Sequence, residues 1–397
     1  MSVLRGSVVL TSLVAAGLVA PALAQAPIQI SPPAQSGAAP KAAKPKRAPA
    51  KAPAAKAPAA KVPAAPAEPA PETAARTPAP KATPPMEPPR DDEVWPAPPP
   101  GASSFAPSAA APASAAMAAA YTAYQRGQYL TAFAAATRLA GDAGDPKAMA
   151  LLGELYANGN GVPQDYKKAA EWYRLAAERG DAAGTFALAL LNLAGRGGPR
   201  DLAAAAKHLK TATDLGHPDA AYDLALFYID GQQFPQDFAK AAELFRQAAD
   251  AGVPEAQYGL ATLYKEGRGV PQDVGAAARL LRQASRAGNL DAQVEYAIAL
   301  FNGSGVEQDE AGAAALLRKA ANRGSPIAQN RLARVLAAGR GVEANAVEAA
   351  RWHMIAKAGG LSDTFLDEFV ARLSPAEREA AEKAAKPWLA AIAHSRS

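Results

Sequence analysis

The side chains of this chain that are best suited to acid–base or metal chemistry are four histidines, and they are dispersed. No two of them have the spacing of three to five residues that is typical of a zinc site on one helix. The chain has no cysteine, which excludes disulfides, thiol chemistry and thiolate metal sites. The sequence therefore predicts no metal site and no cofactor. The histidines are His208, His217, His353 and His394.

Acidic clusters and glycine-rich loops do not indicate catalysis either. Asp91, Asp92 and Glu93 are consecutive, but they lie in a proline-rich stretch where nothing would raise a pKa or hold a geometry. The Gly-x-Gly loops, such as Gly159 to Gly161, recur between helical stretches and follow no strand, so we interpret them as turns and not as phosphate-binding loops. We expect no catalytic residue, and we expect that the protein is not an enzyme.

A glycine recurs at a constant interval of 36 residues through much of the chain. Each interval contains a copy of the same unit, so six units fill residues 144–359. A strict period of this length is typical of a stacked-repeat solenoid. The periodic glycines are Gly144, Gly180, Gly216, Gly252, Gly288, Gly324 and Gly360.

Each unit contains two helical stretches joined by a short loop. Leu151, Leu152 and Leu155 have helical spacing in the first stretch. An aspartate before the second stretch is suited to accept the free N–H groups of the helix that follows. That helix carries a large residue, such as Trp172 or Trp352, one turn before an alanine, which favours close helix packing. We predict an all-α solenoid, a right-handed superhelix of six helix–loop–helix repeats. The capping aspartates are Asp165, Asp201, Asp237, Asp273 and Asp309.

A tyrosine column near the end of the first helix has two interpretations. Tyr156, Tyr228 and Tyr264 occupy it, and tyrosines are frequent anchors in protein interfaces. Leu300 and Leu336 occupy the same column in later units, which favours packing between helices. We keep the three tyrosines as candidate partner-binding residues and favour the packing role.

The terminal repeats need caps because each would otherwise expose an apolar face. Residues 114–143, with aromatic residues on both sides of Gly127, predict a capping helical hairpin. Residues 360–397 predict C-terminal capping helices, one of which begins with the capping-box sequence from Ser374 to Glu377.

Residues 1–24 have the features of an export signal. Arg5 precedes an apolar run over 8–19, and Ala22 and Ala24 supply the small residues that a signal peptidase reads. We expect cleavage after Ala24 and a periplasmic protein. The alternative is a retained anchor, although the run is shorter than the roughly 20 residues that span a bilayer. We expect no transmembrane segment in the mature chain.

Residues 25–113 are rich in Ala, Pro and Lys and predict a disordered linker. They contain ten basic and six acidic residues, and Arg5 lies in the leader, so the remainder of a chain with 42 basic and 37 acidic residues is formally neutral. This neutrality argues against nucleic-acid binding. The acid-free run from Lys41 to Lys61 would permit weak contact with an anionic envelope surface, although a solubilising linker is the simpler interpretation.

The repeat unit resembles the Sel-one-like repeat family, a relative of the tetratricopeptide repeats. The resemblance is carried by the columns from Leu152 to Asp165, from Ala169 to Tyr173 and from Ala176 to Gly180. It covers about residues 114–360. Gln233, Glu307 and Glu343 depart from the pattern, since they replace a loop glycine or proline.

The resemblance implies an adaptor, since bacterial members are commonly exported and hold partner proteins, including regulators of envelope sensor kinases and factors in envelope organisation. A cysteine-rich branch is linked to penicillin binding and β-lactam hydrolysis, but this chain has no cysteine and no Ser-x-x-Lys motif. We expect a scaffold that binds a protein or peptide on the concave face of the solenoid. The alternatives are a wall- or surface-binding structural protein that uses the cationic tail and, third, a β-lactam or wall hydrolase.

Overall fold

The computed structural model describes residues 114–396. The predicted signal peptide, 1–24, and the predicted linker, 25–113, lie outside the described residues. Residues 114–396 form sixteen α-helices and no strand, which confirms the predicted all-α repeat fold. The helices are α1 Ala115–Gln125, α2 Tyr129–Asp142, α3 Pro146–Asn158, α4 Tyr166–Glu178, α5 Ala182–Ala194, α6 Leu202–Asp214, α7 Pro218–Asp230, α8 Phe238–Asp250, α9 Pro254–Glu266, α10 Val274–Arg286, α11 Leu290–Asn302, α12 Glu310–Asn322, α13 Pro326–Ala338, α14 Ala346–Ala358, α15 Thr364–Ala371 and α16 Pro375–Arg396.

The odd-numbered helices α3 to α13 are the first helices of the six repeats, and the even-numbered helices α4 to α14 are the second helices. Each second helix begins after a capping side chain. Asp165 accepts hydrogen bonds from the backbone N–H groups of Lys167 and Lys168, each at 3.0 Å. The corresponding aspartates of the next four repeats cap in the same way, and Asn345 does so in the sixth. Since these N–H groups have no partner within the helix, the cap determines where the helix starts.

Glycine follows the helices at points where the backbone must become left-handed. Gly267 follows α9 with a φ of 69°, and its N–H donates to the carbonyl of Leu263 at 2.9 Å. Gly252 lies between repeats with a φ of 90°, and the N–H of Val253 turns back to the carbonyl of Ala248 at 3.0 Å. Only glycine adopts these angles without strain, and the turn satisfies the last carbonyls of the helix. All seven periodic glycines have φ between 60° and 96°.

The second helices pack through two columns of large side chains. The sequence analysis named only the column of Trp172. In the column of Trp172, burial is mixed: Trp352 is buried and packs edge-on against Trp388, with ring centroids 5.6 Å apart, whereas Trp172 is half-buried. The next position along the helix is buried in every repeat. Those residues are Tyr173, Leu209, Phe245, Leu281, Leu317 and His353. One turn after the Trp172 column, an alanine that is fully buried in all six repeats lets the neighbouring helix approach closely.

Each helix packs against its neighbours in chain order. Within residues 114–396, every pair of helices in extensive contact is separated by at most one other helix. The hydrophobic core divides accordingly into overlapping clusters along the chain, of which two span residues 117–191 and 189–263. Stability in such an array comes from the interfaces between consecutive repeats.

Both ends of the repeat array are covered by further helices. At the start, α1 and α2 pack on α3, and Met117 is fully buried there. At the other end, α16 begins with a capping box in which the N–H of Ser374 donates to Glu377 at 2.9 Å and the N–H of Glu377 donates to the Ser374 hydroxyl at 3.3 Å. Trp388 of α16 then packs on the last repeat.

We predict that Gly267→Val destabilises the protein by at least about 1 kcal/mol, because a β-branched residue is strained at a φ of 69°. A Cβ atom there would also lie 3.2 Å from Cβ of Gln272. Urea denaturation of purified protein would measure the change. Gly198→Val is the matched control, because Gly198 lies outside the left-handed region and a Cβ atom there meets nothing within 4 Å. Equal stability of the two variants would contradict the prediction.

Candidate interaction surface

The first helices are enclosed by neighbouring helices, and one narrow face of each stays accessible. In α7, for example, Asp219 and Asp230 are exposed and Tyr222 is half-buried, while most of the residues between them are buried. Residues that are three or four positions apart share one face of a helix. In repeats three to five, the acidic residues and tyrosines at the second, fifth and sixth positions of the first helices form what we term the acidic stripe. Its members are Asp219, Tyr222, Asp223, Glu255, Tyr258, Asp291 and Glu295.

The charges of successive repeats act on one another across the acidic stripe. Burial raises the pKa of Tyr222, and the carboxylates of Asp223 and Asp291 raise it further although they belong to different repeats. Burial likewise raises the pKa of Tyr258, with added contributions from Glu295 and Asp291. Because such effects weaken with distance and with screening by salt, the acids of three repeats share one surface.

Charge is separated between the two sets of helices in these repeats. The first helices α7, α9 and α11 contain seven acidic residues and one lysine. The second helices α8, α10 and α12 contain seven basic and three acidic residues. A region that is close to neutral by residue count is therefore negative on its first helices and positive on its second helices.

Asp223 is the most unusual member of the stripe. Its side chain is only 3% exposed, and no hydrogen bond and no opposite charge acts to lower its pKa. Burial, together with the nearby carboxylate of Asp219, raises the pKa of Asp223 to about 8. A buried carboxyl group without a partner costs free energy, so the fold alone does not account for this residue.

Glu295, two repeats further on, is partly satisfied. Its Oε2 atom accepts a hydrogen bond from Nζ of Lys265 at 2.9 Å. Its Oε1 atom is buried and has no hydrogen-bond partner within residues 114–396. The stripe therefore contains two buried carboxyl groups, one in repeat three and one in repeat five, and the one in repeat five has an oxygen without a hydrogen-bond partner among the described residues.

The repeats on either side of the stripe, repeats two and six, have no acidic residue at the corresponding positions. In repeat two, the second and fifth positions are the uncharged Ala183 and Phe186. In repeat six, Arg334 donates to both carboxylate oxygens of Asp363, at 2.6 and 2.8 Å. Burial works to raise the pKa of Asp363, but the hydrogen bonds from Arg334 and Asn330 outweigh it and hold that pKa below its ordinary value. The sixth position of repeat six is Arg331, whose pKa is lowered by burial and by Arg334 and raised by Asp363 and Glu295, so the acidic stripe ends at an arginine that interacts with Glu295.

The candidate tyrosines of the sequence analysis lie outside the stripe. Tyr156 is buried and contacts Phe133 edge-on, with ring centroids 5.7 Å apart. Tyr228 is half-buried and stacks on Phe234 at 4.9 Å. The hydroxyl of Tyr264, also half-buried, accepts a hydrogen bond from the Arg246 side chain at 3.1 Å.

The stripe itself was missed by sequence reasoning because its residue types change from repeat to repeat. The sixth position, for example, is Asp223, then Gly259, then Glu295. A search for columns of identical residues passes over such a position. Variation at one face of an otherwise regular repeat is the signal that could have found it.

The histidines occupy separate structural positions. His217 caps α7 through Nδ1 and stacks on Phe186 at 4.4 Å, and burial lowers its pKa to about 4. His353 is buried, and its Nε2 atom lies 2.9 Å from Oδ1 of Asp367. Within residues 114–396, no group of three His, Asp or Glu residues could hold a metal ion, and no helix is long and apolar enough to cross a bilayer.

Comparison with known families identifies the repeat. The family model of the Sel1 repeat matches six consecutive segments that together cover more than half of the chain. Each segment contains one first helix and one second helix. The chain belongs to the Sel1 repeat family. The matched segments are residues 146–181, 182–217, 218–253, 254–289, 290–325 and 326–360.

Solved structures of Sel1 repeat proteins show the same fold. One is c5321, a protective antigen of uropathogenic Escherichia coli strains; it is 26% identical, has a TM-score of 0.60, and the match covers 71% of this chain and 61% of the antigen. Another is a Sel1 repeat protein from Oxalobacter formigenes, 26% identical with a TM-score of 0.53, where the match covers 61% of this chain and 97% of that one. No curated protein matches this Sel1 repeat chain.

We predict that Asp223→Asn makes the Sel1 repeat domain more stable relative to wild type as pH rises. The pKa of Asp223 is raised from its unfolded value near 4 to about 8, so the folded state binds more protons than the unfolded state between these values. In the wild type, the contribution of this proton to the free energy of unfolding is fully present below pH 4 and is lost as pH rises towards 8. The stability gap between variant and wild type should therefore grow by at least about 1 kcal/mol across this window.

Denaturation curves at pH 4.5 and pH 8 would measure that gap. Asp250→Asn, at an exposed position of α8, is the control and should show no comparable pH dependence. A gap that stays constant with pH would show that Asp223 is ionised without cost in the folded protein.

Proposed function

We propose that this Sel1 repeat protein is exported and acts as an interaction scaffold that binds a partner protein along the acidic stripe, without covalent chemistry. The family consists generally of protein–protein interaction scaffolds. The observation that carries the proposal is a pair of buried carboxyl groups on an accessible face: Glu295 in repeat five, whose Oε1 atom has no hydrogen-bond partner among the described residues, and Asp223 in repeat three, whose pKa is raised by burial.

The physical reason is the cost of those groups. A domain that only had to fold would be more stable with Asn or an apolar residue at Asp223, because a desolvated carboxyl without a donor is unfavourable. Strongly perturbed ionisable groups are concentrated at functional sites. A partner that supplies donors at this face would recover the lost interaction energy, and the repeat array would hold the site rigidly.

The first helices also provide a continuous contact surface. The half-buried rings of Tyr222 and Tyr258 lie at the same position of consecutive repeats, beside the acidic side chains. Tyrosine combines apolar area with a polar tip and is a frequent anchor in interfaces. An extended segment of a partner would therefore find both apolar and polar contacts along successive repeats.

Export predicts a defined amino terminus for the mature protein. Cleavage after Ala24, between the small residue and Gln25, should leave a chain that begins at Gln25. Mass spectrometry of protein purified from the envelope fraction of its source cells would measure this. A chain that retains residues 1–24 and fractionates with the cytoplasm would contradict the export part of the proposal and leave the binding part intact.

Binding along the stripe predicts site-specific crosslinks. A photocrosslinking phenylalanine derivative at Tyr258 should capture a discrete protein species in living cells, because this position would lie under the partner. The same group at Arg282, which is exposed on the second helix α10, is the control and should not capture that species.

Mass spectrometry of the captured species distinguishes the candidate functions. One protein captured at Tyr258 and absent at Arg282 supports the scaffold. Equal capture at both positions contradicts binding along the stripe. Recovery of wall fragments alone would favour the alternative, a wall-binding protein that relies on the basic segment from Lys41 to Lys61.

A further inference from the structure

We propose that the acidic stripe binds an extended, lysine-rich segment of the partner protein. This inference rests on the proposed scaffold function and names the chemistry of its partner. It follows from the acidic residues of repeats three to five, from the two buried carboxyl groups among them and from the aromatic rings on the same face.

Charge selects a basic segment. The stripe contains five acidic residues, and the one lysine of its three helices is already bonded to Glu295. In repeat two, the corresponding positions Ala183 and Phe186 carry no charge, and in repeat six the sixth position is Arg331, which interacts with Glu295. Since like charges repel, these boundaries confine the basic part of a ligand to repeats three to five.

The buried carboxyl groups favour a partner segment that carries hydrogen-bond donors. Asp223 is 3% exposed, and no hydrogen bond and no opposite charge offsets its burial. Glu295 is 5% exposed, and its Oε1 atom has no hydrogen-bond partner among the described residues. A lysine ammonium has three donors and no acceptor, and its narrow stem reaches a recessed carboxylate more readily than a branched side chain does. An opposite charge beside Asp223 would also favour its ionised form, which burial now opposes.

The row of aromatic rings favours a partner segment with an extended backbone. Tyr222 and Tyr258 occupy the fifth position of consecutive repeats and are half-buried, and Phe186, stacked on His217, continues the row into repeat two. Such a row suits proline or other apolar side chains that alternate with the lysines, as in peptides that bind aromatic-lined grooves in the polyproline II conformation. A folded ligand domain would contact this narrow face at fewer positions.

Peptide binding to the purified full chain tests the inference. The probe is a fluorescein-labelled peptide of five Lys-Ala-Pro units, and its matched controls replace every lysine by glutamine or by glutamate. Fluorescence anisotropy should show saturable binding of the lysine peptide that weakens at high salt, and no binding of either control peptide. Equal binding of the glutamine peptide would overturn the role of charge.

Two double variants locate the site. Asp223→Asn with Glu295→Gln removes two acids from the stripe and should weaken binding of the lysine peptide at least about tenfold. Glu243→Gln with Asp250→Asn removes two acids from exposed positions of the second helix α8 and should change the affinity less than about twofold. An equal loss in both double variants would show non-specific attraction and contradict the inference. Thermal melts would confirm that both double variants are folded.

This test separates the inference from the proposed function. If the lysine peptide fails to bind while Tyr258 still captures a protein in cells, the stripe binds a partner of another chemistry and the inference is wrong. If the peptide binds at the stripe but no protein is captured in cells, the surface has the inferred chemistry and the scaffold proposal is wrong.

Discussion

The structure depends on one constraint: a pair of 13-residue helices cannot bury its own apolar face. Each pair must be covered by the next, and the cover must be close because the apolar area per repeat is small. The fully buried alanine of every second helix permits this approach, and the large side chains one turn earlier, from Tyr173 to His353, fill the space beside it. Caps at both ends follow from the same requirement.

The same stacking explains why the unusual polar residues lie on the first helices. They are enclosed on most sides, so a polar residue on the remaining face is desolvated by its neighbours even when it borders solvent. Asp223 shows the consequence, since no hydrogen bond and no opposite charge offsets its burial. On an isolated helix the same side chain would be hydrated and of no particular interest. The repeat array thus converts an ordinary aspartate into a group with a strongly raised pKa.

Stacking also turns a balanced composition into a polarised surface. The chain outside the leader and the proline-rich stretch has equal numbers of basic and acidic residues. In repeats three to five, however, the acids are concentrated in the first helices and the bases in the second helices. A partner meets one of these two sides and not their average, so net charge is a poor guide to recognition by a solenoid. The neutral total of this part of the chain argues against nucleic-acid binding only as an average over its surface.

The sequence by itself determined the period, the helix starts and the turns, because these depend on local chemistry. An aspartate such as Asp165 caps the helix that follows it, and a glycine such as Gly267 allows a left-handed turn, wherever they occur in the chain. Only the tertiary structure decided which columns are buried and which face is accessible. Tyr156 and Tyr264 occupy the same column of the first helices, yet Tyr156 is buried against Phe133 whereas Tyr264 is half-buried and accepts a hydrogen bond from Arg246. Burial depends on the neighbouring repeats, and local sequence does not contain that information.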